Sequence, residues 1–197
     1  MIKKLNPKHG GKSNGFLNNY FEQNCSDINK GKDFCIKQVI RNVKKNDISQ
    51  FYDLVGESLK AIGFKKVIVS REGDTNNRMD AIIVEKETSI PIEIKSPAEV
   101  EHINVKSIRQ ALENKIILLS RKFYSTKRDT SSLAIGFLYP NERSTVFELI
   151  NNIYDTFKIN IGLVDFETII SLRWDAEVDG KAFDLNRIRS LKGRLEC

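Results

Sequence analysis

The stretch that most limits what this chain can become is residues 79–97, MDAIIVEKETSIPIEIKSP. From Ile90 the pattern alternates, so Ile90, Ile92 and Ile94 share one face of a strand while Pro91, Glu93 and Lys95 share the other. In the preceding run Asp80 falls on the face of Ile82 and Val84, so a carboxylate opens an otherwise apolar row. That placement is costly unless something pairs with it.

The two runs are close enough to form a hairpin. A two-residue loop at Glu87 and Thr88 sets Asp80 opposite Lys95 with Glu93 on the diagonal, and a two-residue shift sets it opposite Glu93. Glu-Thr is poor turn chemistry and leaves both registers open. Either one brings Asp80, Glu93 and Lys95 to one face, within about 5 to 8 Å between Cβ atoms. Two carboxylates so close repel each other unless a cation lies between them. With only His9 and His102 to offer imidazole, the donors are carboxylate and main-chain oxygens, which suit Mg²⁺, with Mn²⁺ as substitute, better than Zn²⁺. Lys95 beside such a metal is a donor for a water or a phosphate oxygen. Lewis acid, nucleophile and charge stabiliser on one spot are what phosphodiester hydrolysis requires.

Asp80, twelve further residues and then Glu93-Ile94-Lys95 resemble the core motif of the PD-(D/E)xK nuclease superfamily, with Met79 where the family name has Pro. The resemblance implies an α/β fold, a restriction endonuclease-like mixed central sheet (αβββαβ core) flanked by helices. It implies Asp80, Glu93 and Lys95 as catalytic residues. The metal would be held by Asp80, Glu93 and the main-chain carbonyl of Ile94, with Glu57 as a further contact from the preceding helix. The helical wheel places Glu57 opposite that helix's buried stripe instead. Residues 92–119 further resemble the cleavage domain of type IIS restriction and nicking endonucleases. Fold-building elements leave no obvious room for DNA recognition, so the chain resembles the strand-cleaving small subunit of a heterodimeric type IIS enzyme, with a larger recognition subunit and double-stranded DNA as partners. Two other readings stand beside it: a resolvase or repair nuclease acting alone, and a non-catalytic nucleic-acid-binding module.

The remaining pattern is consistent with that fold. A helix is expected over residues 47–62, capped by Asp47 and Gly63, with Ile48, Phe51, Val55, Leu59 and Ile62 buried. A strand over 65–70 leads into a polar loop whose Arg71 and Arg78 could approach phosphates. A helix over 104–124 is expected to bury Val105, Ile108, Leu112, Ile116, Leu119 and Phe123, and to carry Lys106, Gln110, Glu113 and Asn114 on its outer face. Lys106 and Gln110 are candidate nucleic-acid contacts, the Gln because some members of the superfamily use one on this helix. A strand over 132–139, a helix over 141–157, a strand over 159–164 and a helix over 166–174 follow, then a charge-rich tail read as a solvated helix face.

Residues 1–50 hold ten Lys or Arg against four Asp or Glu, which accounts for the whole net charge of +6. Residues 1–46 are therefore expected as a basic arm with short helices before a nuclease domain over 47–197, and such an arm suits a polyanion. No apolar run is long enough to span a bilayer, and the N-terminus lacks a signal-peptide core, so a cytoplasmic protein is expected. Cys25, Cys35 and Cys197, odd in number and without zinc spacing, are expected as free thiols.

Overall fold

The computed structural model describes residues 20–44, 47–70, 79–121 and 123–196. Three helices, α1 (Tyr20–Asn24), α2 (Lys32–Val43) and α3 (Ile48–Ile62), precede strands β1 (Val67–Val69), β2 (Ala81–Ile83) and β3 (Ile90–Lys95). Helix α4 (Val105–Ser120) leads to β4 (Ser132–Gly136), and α5 (Val146–Phe157) to β5 (Ile161–Asp165). Helices α6 (Phe166–Glu177) and α7 (Asn186–Arg189) then lead to β6 (Gly193–Arg194). The strands lie in the sheet in chain order. The first three form an antiparallel meander, and β3 to β6 run parallel to one another. The molecule is thus of the α/β class, a mixed six-stranded sheet flanked by helices.

Alternation along the strands sends side chains into two cores. Ile83, Ile92, Ile94, Leu133, Ile135 and Val164 meet α2, α3 and α6 on one face. On the other, Ala134, Ile161 and Leu163 meet α4 and α5, while Ile82 packs with Met79 and Leu118. Helix α3 starts where Asp47 accepts the Gln50 N–H at 2.8 Å and stops at Gly63, whose φ of 127° a side chain would resist. Its stripe is buried as expected from Phe51 to Ile62, but Ile48, in the first turn, is exposed. Gly56 lets α3 close on β1, since a Cβ there would lie 2.5 Å from Val69 Cγ2.

Helix α4 departs from its expected phase. Its buried residues are Ser107, Ile108, Ala111, Asn114, Lys115 and Leu118. Ile116 is 50% exposed, and Phe123, just beyond the helix, is 81% exposed. The buried stripe is turned by about one residue, roughly 100°, from the apolar one. The physical reason is that the sheet beneath α4 offers polar partners. Ser132 Oγ donates to the Ala111 carbonyl at 2.7 Å and Asn114 donates to Glu93.

The first and last described segments both pack into the body. Phe21, Cys35, Ile36, Val39 and Val43 lie in the same core as Phe51 and Trp174, with Phe21 edge-on to Trp174 at 4.9 Å. Over residues 20–43 the expected arm is therefore a packed layer; residues 1–19 lie outside the described residues. Cys25 and Cys35 are joined by a disulfide, which corrects the expectation that they are free thiols; Cys197 lies outside the described residues. The tail is corrected as well. Ile188, Leu191 and Leu195 are buried, and β6 adds a strand beside β5. Among the described residues no helix is long and apolar enough to cross a membrane.

Candidate metal centre at the end of the central strands

The register decides what meets what. Ala81 faces Ile92 and Ile83 faces Ile90, so one step further along sets Asp80 across from Glu93. This is the second of the two expected registers. Residues 84–89 form a longer loop in place of the two-residue turn, closed by the Ser89 hydroxyl, which donates to the Glu85 carbonyl at 2.8 Å and accepts the Glu85 N–H at 3.1 Å.

Asp80 lies half-buried just before β2, where its Oδ2 accepts the Ile94 N–H at 2.8 Å. Burial first, and then the charge of Glu93, push its carboxyl up to about 7, against the opposing pull of the Ile94 N–H and Lys95. Glu93 is only 3% exposed. Its Oε2 accepts from Asn114 Nδ2 at 3.0 Å, and its Oε1 lies 2.8 Å from Lys95 Nζ. That second contact is an ion pair, which leaves Oε1 a lone pair to offer. Burial pulls the Lys95 ammonium down, but its bond to Glu93 and the charges of Glu93, Glu99 and Asp80 outweigh this and raise it. Lys95 therefore holds its proton.

Two further groups close the site from outside β2 and β3. Glu99 Oε1 lies 3.6 Å from Lys95 Nζ, while its Oε2 accepts the Ser96 N–H at 2.9 Å and the Tyr52 hydroxyl at 3.1 Å. Burial raises the Glu99 carboxyl, but these donors and Lys95 bring it below its ordinary value. Tyr52, on α3, also reaches the Ile94 carbonyl at 2.8 Å. Burial and the charges of Asp80 and Glu99 push its phenol well above the ordinary range.

Among the described residues, the buried side-chain polar atoms without a hydrogen bond are Glu93 Oε1, Ser96 Oγ and Gln110 Oε1. Glu93 and Ser96 belong to β3 and the residue after it, and Gln110 lies one turn before Asn114 on the sheet-facing side of α4. Buried polar atoms without a hydrogen bond are rare in folded proteins.

The donor set fits a hard divalent cation. With all three ionised, Asp80, Glu93 and Glu99 bring three negative charges against the one positive charge of Lys95, an excess of two. Asp80, Glu93 and the Ile94 carbonyl offer oxygens only, which suits Mg²⁺ or Mn²⁺ retaining several waters. Among the described residues no group of three His, Cys, Asp or Glu is placed to hold a metal.

Asp80, Glu93, Ile94 and Lys95 are thus brought together. Glu57 is not among them: it stands on the solvent side of α3, 61% exposed and paired with Lys60 at 2.8 Å, as the helical wheel indicates. The residue of α3 that reaches the site is Tyr52, about 140° around the helix from Glu57. Gln110 is half-buried on α4, Lys106 is exposed on its first turn, and Arg71 and Arg78 lie outside the described residues. Sequence reasoning missed Tyr52, Glu99 and Asn114. Only Asn114 left a trace there, as a polar residue in register with Ser107, Ala111 and Leu118. Compared with known proteins, the chain matches no family model, no curated protein and no solved structure.

Proposed function

We propose that this chain is a Mg²⁺-dependent DNA endonuclease of the PD-(D/E)xK kind. The observation that carries the reading is the facing pair of half-buried Asp80 and buried Glu93 with Lys95 in contact, a cluster short of positive charge at its centre. Asp80, Glu93 and the Ile94 carbonyl would hold the cation. When bound, it supplies a Lewis acid for the scissile phosphate and lowers the pKa of an attacking water. The chain does the rest. Asn114 fixes the rotamer of Glu93, and the Ile94 N–H fixes Asp80. Lys95, holding its proton, acts as a donor to the water or to a phosphate oxygen and shares the charge that develops there. Lys106 and Gln110, with Arg71 and Arg78, are the proposed contacts to the DNA around that centre.

The finer form we propose is the strand-cleaving small subunit of a heterodimeric type IIS restriction endonuclease. Its support is that every element from α1 to β6 serves one sheet and its two layers, so the described residues include no separate unit for reading bases. Base recognition then falls to a larger partner.

The test is conversion of supercoiled plasmid to nicked and linear forms with Mg²⁺, for the chain alone and with a candidate large subunit, beside Lys95→Ala. Cleavage that needs Mg²⁺ and drops by about a hundredfold or more in Lys95→Ala is expected, in line with removal of a transition-state donor. Cleavage by the chain alone would replace the heterodimeric form with a stand-alone nuclease. Binding of DNA that ignores Mg²⁺, with no cleavage beside any partner, would leave a non-catalytic module.

A further inference from the structure

Two donors at this site each have two acceptors in reach. Lys95 Nζ stands between Glu93 Oε1 at 2.8 Å and Glu99 Oε1 at 3.6 Å. The Tyr52 hydroxyl stands between the Ile94 carbonyl at 2.8 Å and Glu99 Oε2 at 3.1 Å, with a single proton to give. Glu99 is the alternative acceptor in both cases. It is held in place: the Ser96 N–H bonds its carboxylate, and the Ser96 carbonyl accepts the N–H groups of Glu99 and Val100 at 3.0 and 3.1 Å. Its two preferred rivals, Glu93 Oε1 and the Ile94 carbonyl, are the oxygens that a cation at the proposed centre would draw on.

We infer that Glu99 is a positioning residue, the reserve acceptor that keeps the Lys95 ammonium and the Tyr52 hydroxyl in place once a divalent cation engages Glu93 and the Ile94 carbonyl. The inference rests on the metal-centre reading above. An ammonium that followed Glu93 would sit against the cation and be repelled by it. An ammonium released from both carboxylates would be free to leave the phosphate. Glu99, already within ion-pair reach of Lys95, prevents both without a change in the backbone. Tyr52 can likewise turn its proton from the carbonyl to Glu99, leaving the carbonyl's lone pairs to the cation.

The test follows the Lys95 ammonium directly, by NMR of ¹⁵N-lysine-labelled protein, with the resonance assigned by its absence in Lys95→Arg. Calorimetric titration with Mn²⁺ runs beside it. Without metal, slow hydrogen exchange of the ammonium is expected in both the wild type and Glu99→Gln, because Glu93 holds it in both. With Mg²⁺, exchange stays slow in the wild type and becomes roughly tenfold faster in Glu99→Gln, as loss of a charge-assisted bond implies. Bound metal with equally slow exchange in both proteins would overturn the role of Glu99 alone. Loss of the wild-type signal on adding Mg²⁺ would overturn it too, with no need of the variant. If Mn²⁺ fails to bind the wild type, the metal-centre reading falls and takes this role with it.

Discussion

Lys115 shows how much a single residue can reveal about the layer it sits in. It is fully buried on α4, and its ammonium donates to Thr126 Oγ1 at 2.7 Å. Burial brings it down to about 8, with Asp129 pulling weakly the other way. The folded chain therefore releases this proton before the unfolded chain does, so stability rises with pH between about 8 and 10.5. Lys115→Met, of similar length, should raise the melting temperature at pH 7 by about 2–4 °C, on the order of 1 kcal/mol, and flatten that rise. A melting series across pH checks both. The motif residues were legible because a strand's period of two sorts side chains by face, which set Asp80 in an apolar row and Glu93 on one face with Lys95. Tyr52 and Glu99 were not legible. Tyr52 acts from another element, and Glu99 comes back to Lys95 through the turn after β3, a path that no local period encodes.

At the scale of elements, most of the sheet and its helices could be read from period and caps. What could not be read was which side of α4 faces inward. Leu112, Ile116 and Leu119 make a convincing stripe, yet the helix turns Asn114 and Lys115 inward, where Glu93 and Thr126 offer them partners. The tail was misread for a related reason. Its charges look solvated, but Arg189 reaches back to the loop after β2 and grips Glu85 with both ends of its fork, at 2.8 and 2.6 Å. That bond holds the Glu85 carboxyl below its ordinary value. Its contribution is present at neutral pH and is lost as pH falls through the acid range below the ordinary Glu value. The pair is partly exposed, so Arg189→Ala should cost about 1 kcal/mol at pH 7 and less at pH 3. A double-mutant cycle with Glu85→Ala measures the coupling.

For the whole molecule, a mixed sheet with helices on both faces places the ends of β2 and β3 beside the loop that follows β3, with α3 on one side and α4 on the other. Four elements thereby contribute to one charged spot: β2 through Asp80, β3 through Glu93 and Lys95, α3 through Tyr52 and α4 through Asn114. The sequence signalled the charge excess in residues 1–50 but not that α1 and α2, within that stretch, are packed and tied by a disulfide. What such a molecule does with two facing carboxylates depends on whether a cation joins them. Without metal, Asp80 is raised above its unfolded value near 4, so the folded chain holds an extra proton and loses stability as pH climbs through about 7.

The most direct measurement is the melting temperature at pH 7.5, with and without millimolar Mg²⁺, for the wild type and Asp80→Asn. Without metal, Asp80→Asn should melt above the wild type because the repulsion with Glu93 is gone. Mg²⁺ should then raise the wild type, by about 2–4 °C for each kcal/mol of binding linkage, and leave Asp80→Asn unmoved. A wild type indifferent to Mg²⁺, or two proteins shifted equally, would contradict a metal centre at Asp80 and Glu93.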